Sequence, residues 1–181
     1  VTGQPGVCFV TRGPGACNAS IAVHTAMQDS IPMLLLVGQV AREMLGREAF
    51  QEIDFGRMFA PPITKMAVQI NDARRIPETI HNALVTAKSG RPGPVVVALP
   101  EDMLVDESMV DDGRPASGFH PHATQEKISE MRELLANAAR PIMILGGGGW
   151  TPEACADIQN FAENSGLPTA VSFRRQDLFN N

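Results

Sequence analysis

Short apolar runs alternate along this chain with longer stretches in which apolar residues recur every three to four positions. Residues 7–11 (VCFVT) predict a strand. Residues 16–28 predict a helix with Ile21, Ala22, Thr25 and Ala26 on one face. Residues 33–37 (MLLLV) form a continuous apolar run, as in a strand covered on both faces. Residues 66–70 (MAVQI) predict a shorter strand. Asn71 or Asp72 then caps a helix through about Lys88, with Ile76, Ile80, Ala83, Leu84 and Ala87 at helical spacing. Residues 94–99 (PVVVAL) predict another buried strand. Strand and helix alternate, so the expected fold class is α/β: a parallel sheet flanked by helices.

The pattern then lapses. Residues 101–112 hold six acidic side chains and no basic one, and 113–122 add Gly, Pro and Ser without periodicity, which predicts an exposed acidic linker over 101–123. Periodicity returns at Thr124, with Ile128, Met131, Leu134, Leu135 and Ala138 as a helical stripe. Residues 141–145 predict a strand, 146–149 a glycine turn, and Thr151 with Pro152 the start of a helix ending at Gly166. Residues 167–173 predict a further strand. A second, Rossmann-like α/β domain is therefore expected to begin at 124, with residues 124–181 as its opening part.

Composition narrows the class. At 44% hydrophobic and 19% charged residues the chain can bury a core and is not a disordered tail. Its longest apolar stretch, residues 32–37, is too short to span a bilayer. The first 100 residues carry nine basic and seven acidic groups and the remainder six and thirteen, so neither part has the basic face that a phosphate backbone requires, and no nucleic-acid partner is expected. Cys8, Cys17 and Cys155 are odd in number and form no C-x-x-C pair. That suits a reducing cytoplasm rather than a disulfide framework or zinc site. The chain opens on Val rather than Met and enters a strand at once, so it reads as a piece of a larger protein.

The densest chemical feature is Gly13-Pro14-Gly15, between the first strand and the first helix. Such a turn lets backbone approach a ligand, beside the N–H groups of a helix start, and a plain tight turn is the competing reading. It is no Walker loop, because no Gly-Lys-Ser/Thr follows. The run 146–149 lacks the third glycine of a dinucleotide fingerprint, Thr151 standing there. Phe50 and Gln51 fall in a long polar connection between strands, where a ligand-facing loop and a surface turn are equally open. His120 and His122 read as linker histidines, His24 and His81 as packing or surface, and no metal-ligand set is expected. No nucleophile–base arrangement stands out. Residue by residue the chain is an α/β ligand-binding module, and a non-catalytic nucleotide or flavin carrier using 146–149 and Arg91 is one reading of it.

Several strings, taken in order, add a resemblance. Residues 10–18 (VTRGPGACN) are similar to the T-S-G-P-G-A-T-N segment of acetolactate synthase and its relatives. Residues 29–32 (DSIP) lead through the apolar run to 38–40 (GQV). Then come 49–52 (AFQE), 63–65 (ITK) and 89–95 (SGRPGPV), in that family's order and spacing. The chain thus resembles a thiamine-diphosphate-dependent enzyme of the acetolactate synthase type. Residues 1–100 look like the C-terminal part of its pyrimidine-binding domain, and 124–181 like the start of its central domain.

The resemblance implies thiamine diphosphate and Mg²⁺ as cofactors, with the diphosphate and metal held by a third domain. It implies a homodimer or homotetramer with the active site between subunits. It implies a carboligase or decarboxylase, a lyase or transferase taking pyruvate or a similar 2-oxo acid and passing on the aldehyde unit. Gly13, Pro14, Gly15 and Asn18 would lie by the pyrimidine ring, Phe50 and Gln51 would line the substrate side, and Arg91 matches an arginine that contacts FAD in the flavin-containing members. The family's acid–base glutamate belongs upstream of Val1, so no catalytic residue is expected within this stretch. The chain also departs from the pattern: Arg12 replaces Ser, Ala41 replaces Pro, Arg47-Glu48 replace Thr-Asp, Met66-Ala67 replace His-Asn, and Glu101 replaces Lys.

Overall fold

The computed structural model describes residues 4–119 and 121–180. His120, named above as a linker histidine, lies outside them. The chain divides into two units, Val1–His120 and Pro121–Asn181, considered separately here.

The first unit holds four parallel strands in the order β1-β2-β4-β3: β1 Gly6–Val10, β2 Met33–Gln39, β3 Met66–Gln69 and β4 Pro94–Pro100. Leu35 of β2 pairs with Cys8 of β1 on one side and Val96 of β4 on the other, so β2 is central. Side chains alternate across the sheet, and each face has its own helical cover. Leu34, Val95, Val97 and Leu99 pack with Ala83 and Ala87 of α3 (Ile76–Lys88). Leu35, Val37, Val96 and Ala98 face α1 (Gly13–Gln28) and α2 (Phe55–Met58), through Ala16, Val23, Phe55 and Phe59. This double cover is why β4 is buried at all seven positions and reads as an unbroken apolar run.

The differences from expectation have local causes. Helix α1 starts at Gly13 rather than Ala16, because Pro14 fits the first helical turn, where its missing N–H leaves no bond unmade. Asp72 does cap, accepting from the Arg74 N–H, but what it caps is a 3₁₀ turn, Ala73–Arg75. The α-helix proper begins at Ile76, with Pro77 in its first turn. The Arg74 guanidinium beside Asp72 holds that carboxyl down to about 2. Helix α2, one turn capped by the Asp54 side chain, was not foreseen; it brings buried Phe55 and Phe59 under the sheet.

The acidic stretch after β4 begins by packing rather than hanging free. Met103 is fully buried in the core, and the segment runs on along α3. There Lys88 Nζ donates to Ala116 O (3.2 Å), Phe119 N–H to Ser89 Oγ (3.0 Å) and Gly90 N–H to Phe119 O (3.2 Å). His81 Nδ1 lies 2.9 Å from Arg114 O.

The second unit holds α4 (Gln125–Asn137), capped by Thr124, the parallel pair β5 (Met143–Leu145) and β6 (Thr169–Val171), and α5 (Pro152–Ser165). Thr151 caps α5 at its start, and Gly166, at φ 58°, ends it in the left-handed conformation that glycine adopts without cost. A two-stranded sheet offers little cover, so Met131 and Leu134 of the predicted stripe stay exposed. Among the described residues no helix is long and apolar enough to cross a membrane.

Candidate cofactor and substrate site

All four strands of the first sheet run parallel, so their C-terminal ends share one edge, where open α/β sheets bind ligands. Four segments converge there: the turn 12–15 after β1, the start of the long connection after β2, the Phe50–Ile53 stretch of that connection, and Glu101–Asp102 after β4.

The turn and the Phe50–Ile53 stretch touch. The Gly13 N–H donates to Gln51 O at 3.1 Å, and Gly13 is buried. A Cβ on Gly13 would stand 3.0 Å from that same carbonyl oxygen and 3.0 Å from Ile53 Cδ1. Glycine is thus favoured here by close approach rather than by backbone angle. Gly15 is hemmed in by its own strand: a Cβ there would meet Val10 Cβ at 3.0 Å.

Asn18 lies one turn along α1 from Pro14 and Gly15, on the face where Pro14 and Asn18 are exposed. Gln51 holds φ at +67°, in the left-handed region, and its side-chain amide makes no hydrogen bond among the described residues. Phe50 beside it is 78% exposed, unusual for a side chain so large and apolar.

The rest of the edge holds this arrangement rigid. Gln39 is a nearly fully buried amide. Its Nε2 donates to Ile53 O (2.8 Å), and its Oε1 accepts from the Val40 N–H (3.0 Å). Glu52 closes the connection on itself, accepting from the N–H groups of Gly46 (2.6 Å) and Ala49 (3.1 Å). Arg42 is the widest clamp. Its N–H and Nε both donate to the Asp102 carboxylate (2.9 and 2.7 Å), its Nη1 donates to Asn71 O (2.8 Å), and the same guanidinium pairs with Asp106 at 2.9 Å. The Arg42 hydrogen bonds hold the Asp102 carboxyl below the usual carboxylate range.

Of the residues singled out from the sequence, Gly13, Pro14, Gly15, Asn18, Phe50 and Gln51 therefore sit at one edge. Arg91 does not. It precedes β4, and six steps of strand place it about 20 Å away at the opposite edge. There it caps the C-terminus of α1: Nη2 donates to Met27 O (2.8 Å) and Gln28 O (3.2 Å), and Nε to Ser30 Oγ (2.9 Å). Arg91→Ala should cost about 1 kcal/mol through the loss of these bonds to the helix end, read as a lower urea midpoint with unchanged slope. No change in midpoint would contradict the capping role.

Lys65, from the ITK string, works similarly at the end of α3. Its Nζ donates to the carbonyls of Thr86 and Ser89 (2.6 Å to the latter), and burial pushes its pKa down. Gln39 and Arg42 were not picked out as site-building residues. The available signal was a polar residue closing an otherwise apolar buried strand.

Comparison with known proteins accords with this geometry. Residues 1–58 match the family described as "Thiamine pyrophosphate enzyme, N-terminal TPP binding domain", and residues 128–181 match "Thiamine pyrophosphate enzyme, central domain". The chain belongs to the thiamine pyrophosphate enzymes. Its relatives among them include acetolactate synthase large subunits and a glyoxylate carboligase.

It is 38% identical over 168 residues to the glyoxylate carboligase of Escherichia coli O157:H7, covering 92% of this chain and 28% of that protein. It is 35% identical over 185 residues to the acetolactate synthase large subunit of Corynebacterium glutamicum, covering 99% and 29%. It is 37% identical over 177 residues to the acetolactate synthase isozyme 3 large subunit of Escherichia coli K12, covering 94% and 31%. The chain thus spans roughly three-tenths of the length of these relatives.

Proposed function

We propose that this chain supplies the pyrimidine-side wall and part of the substrate wall of a thiamine-diphosphate-dependent enzyme. That enzyme decarboxylates a small 2-oxo acid and transfers or releases the aldehyde unit, as an acetolactate-synthase-like carboligase or decarboxylase. The observation that carries the reading is the seating of the Phe50–Gln51 backbone on the Gly13 turn, through a contact that a side chain at position 13 would crowd.

The residues at this edge suit a flat, neutral ring with polar edges. Pro14 and Phe50 offer exposed apolar surface, and the amides of Asn18 and Gln51 can each donate and accept. They suit a diphosphate poorly. Among the described residues no three His, Cys, Asp or Glu side chains gather into a metal-holding group, and the resemblance assigns diphosphate and Mg²⁺ to the third domain. When bound, thiamine diphosphate supplies the electron sink into which a 2-oxo acid can lose carbon dioxide.

This chain's own residues do three things. Gly13, Pro14, Gly15 and Asn18 bound the ring. Gln51, aimed by its left-handed backbone, orients the substrate. Phe50 excludes water from its side of the site.

The glyoxylate carboligase and acetolactate synthase relatives both support a short 2-oxo acid as substrate, with glyoxylate and pyruvate the first to try. The family resemblance supports a homodimer or homotetramer. The three free cysteines suit a cytoplasmic setting. The family's flavin contact would fall on Arg91, whose guanidinium already serves α1.

The test is the full-length protein given thiamine diphosphate and Mg²⁺, with loss of pyruvate, glyoxylate and longer 2-oxo acids followed alongside cofactor binding and light scattering. Turnover of one of them supports the reading. No turnover together with no cofactor binding overturns it and favours the non-catalytic carrier.

A further inference from the structure

Arg12 and Glu101 are far apart in sequence and meet at the C-terminal edge of the sheet. Arg12 occupies the residue before α1 yet makes no capping bond with its side chain. Instead the side chain reaches from the end of β1 past β2, which lies between β1 and β4, toward the residue after β4. Beyond β2 its Nη2 pairs with Glu101 Oε2, on the residue that follows β4, and Nη1 donates to Phe50 O (3.4 Å).

Glu101 is itself fixed, its N–H donating to Gln39 O (3.0 Å). One guanidinium fork thus joins three segments: the glycine turn, the Phe50–Gln51 stretch and the end of β4. A planar fork can serve two acceptors at once, whereas a lysine would offer a point charge. The side chain of Arg12 is 25% exposed and that of Glu101 56%, so the brace sits at the rim of the site, with Glu101 on the outside. These are also two of the positions where the chain departs from the strings it resembles, and the structure brings the two departures together.

We infer that Arg12, braced by Glu101, is a positioning residue that locks the Phe50–Gln51 stretch onto the Gly13 turn. This rests on the proposed role of Gln51 toward the substrate. The guanidinium does not touch the reacting atoms. Glu101 neutralises its charge and fixes its rotamer, and the Phe50 carbonyl is the point at which the brace sets the direction of Gln51.

The experiment uses full-length protein loaded with thiamine diphosphate and Mg²⁺, as wild type, Glu101→Gln, Arg12→Lys and Arg12→Ser. Two readouts are taken: amide hydrogen exchange at Gly13 and across residues 45–54, and kcat and KM on the best 2-oxo acid from the screen. Glu101→Gln and Arg12→Ser should exchange faster at both places. Their kcat should fall about tenfold or more, as sub-ångström misplacement of an orienting group does, with thiamine diphosphate affinity unchanged. Arg12→Lys should likewise exchange faster at Gly13 and lose turnover, because it can pair with Glu101 and not also hold the Phe50 carbonyl.

Unchanged exchange in Glu101→Gln and Arg12→Ser overturns the brace. Faster exchange with unchanged kcat overturns its positioning role. If wild type neither binds thiamine diphosphate nor turns over a 2-oxo acid, the functional reading fails, and exchange measured on the unloaded protein still decides the brace.

Discussion

Gly13→Ala in the full-length protein is expected to lower turnover by about tenfold or more and to destabilise the fold by about 1–3 kcal/mol. The added methyl would meet two neighbours at 3.0 Å, and they differ in how they can yield. Ile53 Cδ1 is the end of a flexible side chain and can rotate away. The Gln51 carbonyl oxygen is backbone, and it is the acceptor for the Gly13 N–H, so moving it lengthens that bond as well. Relief therefore means lifting the Phe50–Ile53 stretch off the turn by a few tenths of an ångström. That also strains the Gln39 Nε2 bond to Ile53 O.

Gly15→Ala makes a useful comparison. Its methyl would press on Val10 and Thr11, within the strand and turn themselves, so it should cost stability with less effect on kcat. Thermal unfolding and steady-state kinetics on the two variants separate these outcomes. Equal kinetic losses in both would mean that the 50–53 contact has no special part in catalysis.

These contacts also explain what the sequence disclosed and what it withheld. Buried parallel strands announce themselves, because cover on both faces leaves no polar position to break the run. Residues 33–37 and 94–99 were legible for that reason. The Thr151 cap and the helix start at Thr124 were legible because a short polar side chain before a periodic stretch favours capping, whereas Asn71 and Asp72 stood equally open and Asp72 proves to cap a 3₁₀ turn.

The strand ends were less so. Pairing in the second unit covers only Met143–Leu145 and Thr169–Val171, where longer runs were expected, because Pro141 cannot donate to a ladder and the partner strand is itself short. At the site, Gly13-Pro14-Gly15 and Phe50-Gln51 stood out as strings, yet nothing local says that they touch. That contact depends on a connection of some 25 residues folding back, closed on itself by Glu52 and held by Gln39 and Arg42 through bonds to residues farther along the chain. Arg91 shows the converse: a string match carries no information about which edge of the sheet a residue occupies. Only the parallel register, with Met33 opposite Pro94, places it with the end of α1.

Gln51→Gly separates the proposed chemical role of that residue from its structural one. At φ +67° an L side chain costs roughly 1–2 kcal/mol relative to the ordinary helical region, and glycine removes that cost. The greater freedom of glycine in the unfolded chain offsets part of the gain, by about 0.5–1 kcal/mol. The Gln51 amide makes no hydrogen bond among the described residues and the side chain is only half-buried, so little packing is lost. The Gln51 carbonyl, which holds the Gly13 N–H, is backbone and remains.

The variant should therefore be as stable as wild type or slightly more so. Its turnover should nonetheless fall by about a hundredfold, the usual loss on removing one preorganised donor from a reacting centre. Gln51→Ala should lose the same turnover while keeping the strained backbone, and so should sit at or slightly below wild type in stability. This opposition of sign is what a residue held in strain for function predicts, since a residue kept for packing loses both properties together. Parallel measurement of kcat and of the urea midpoint decides it. A joint fall in stability and activity for Gln51→Gly, or full activity in either variant, would remove Gln51 from the substrate wall.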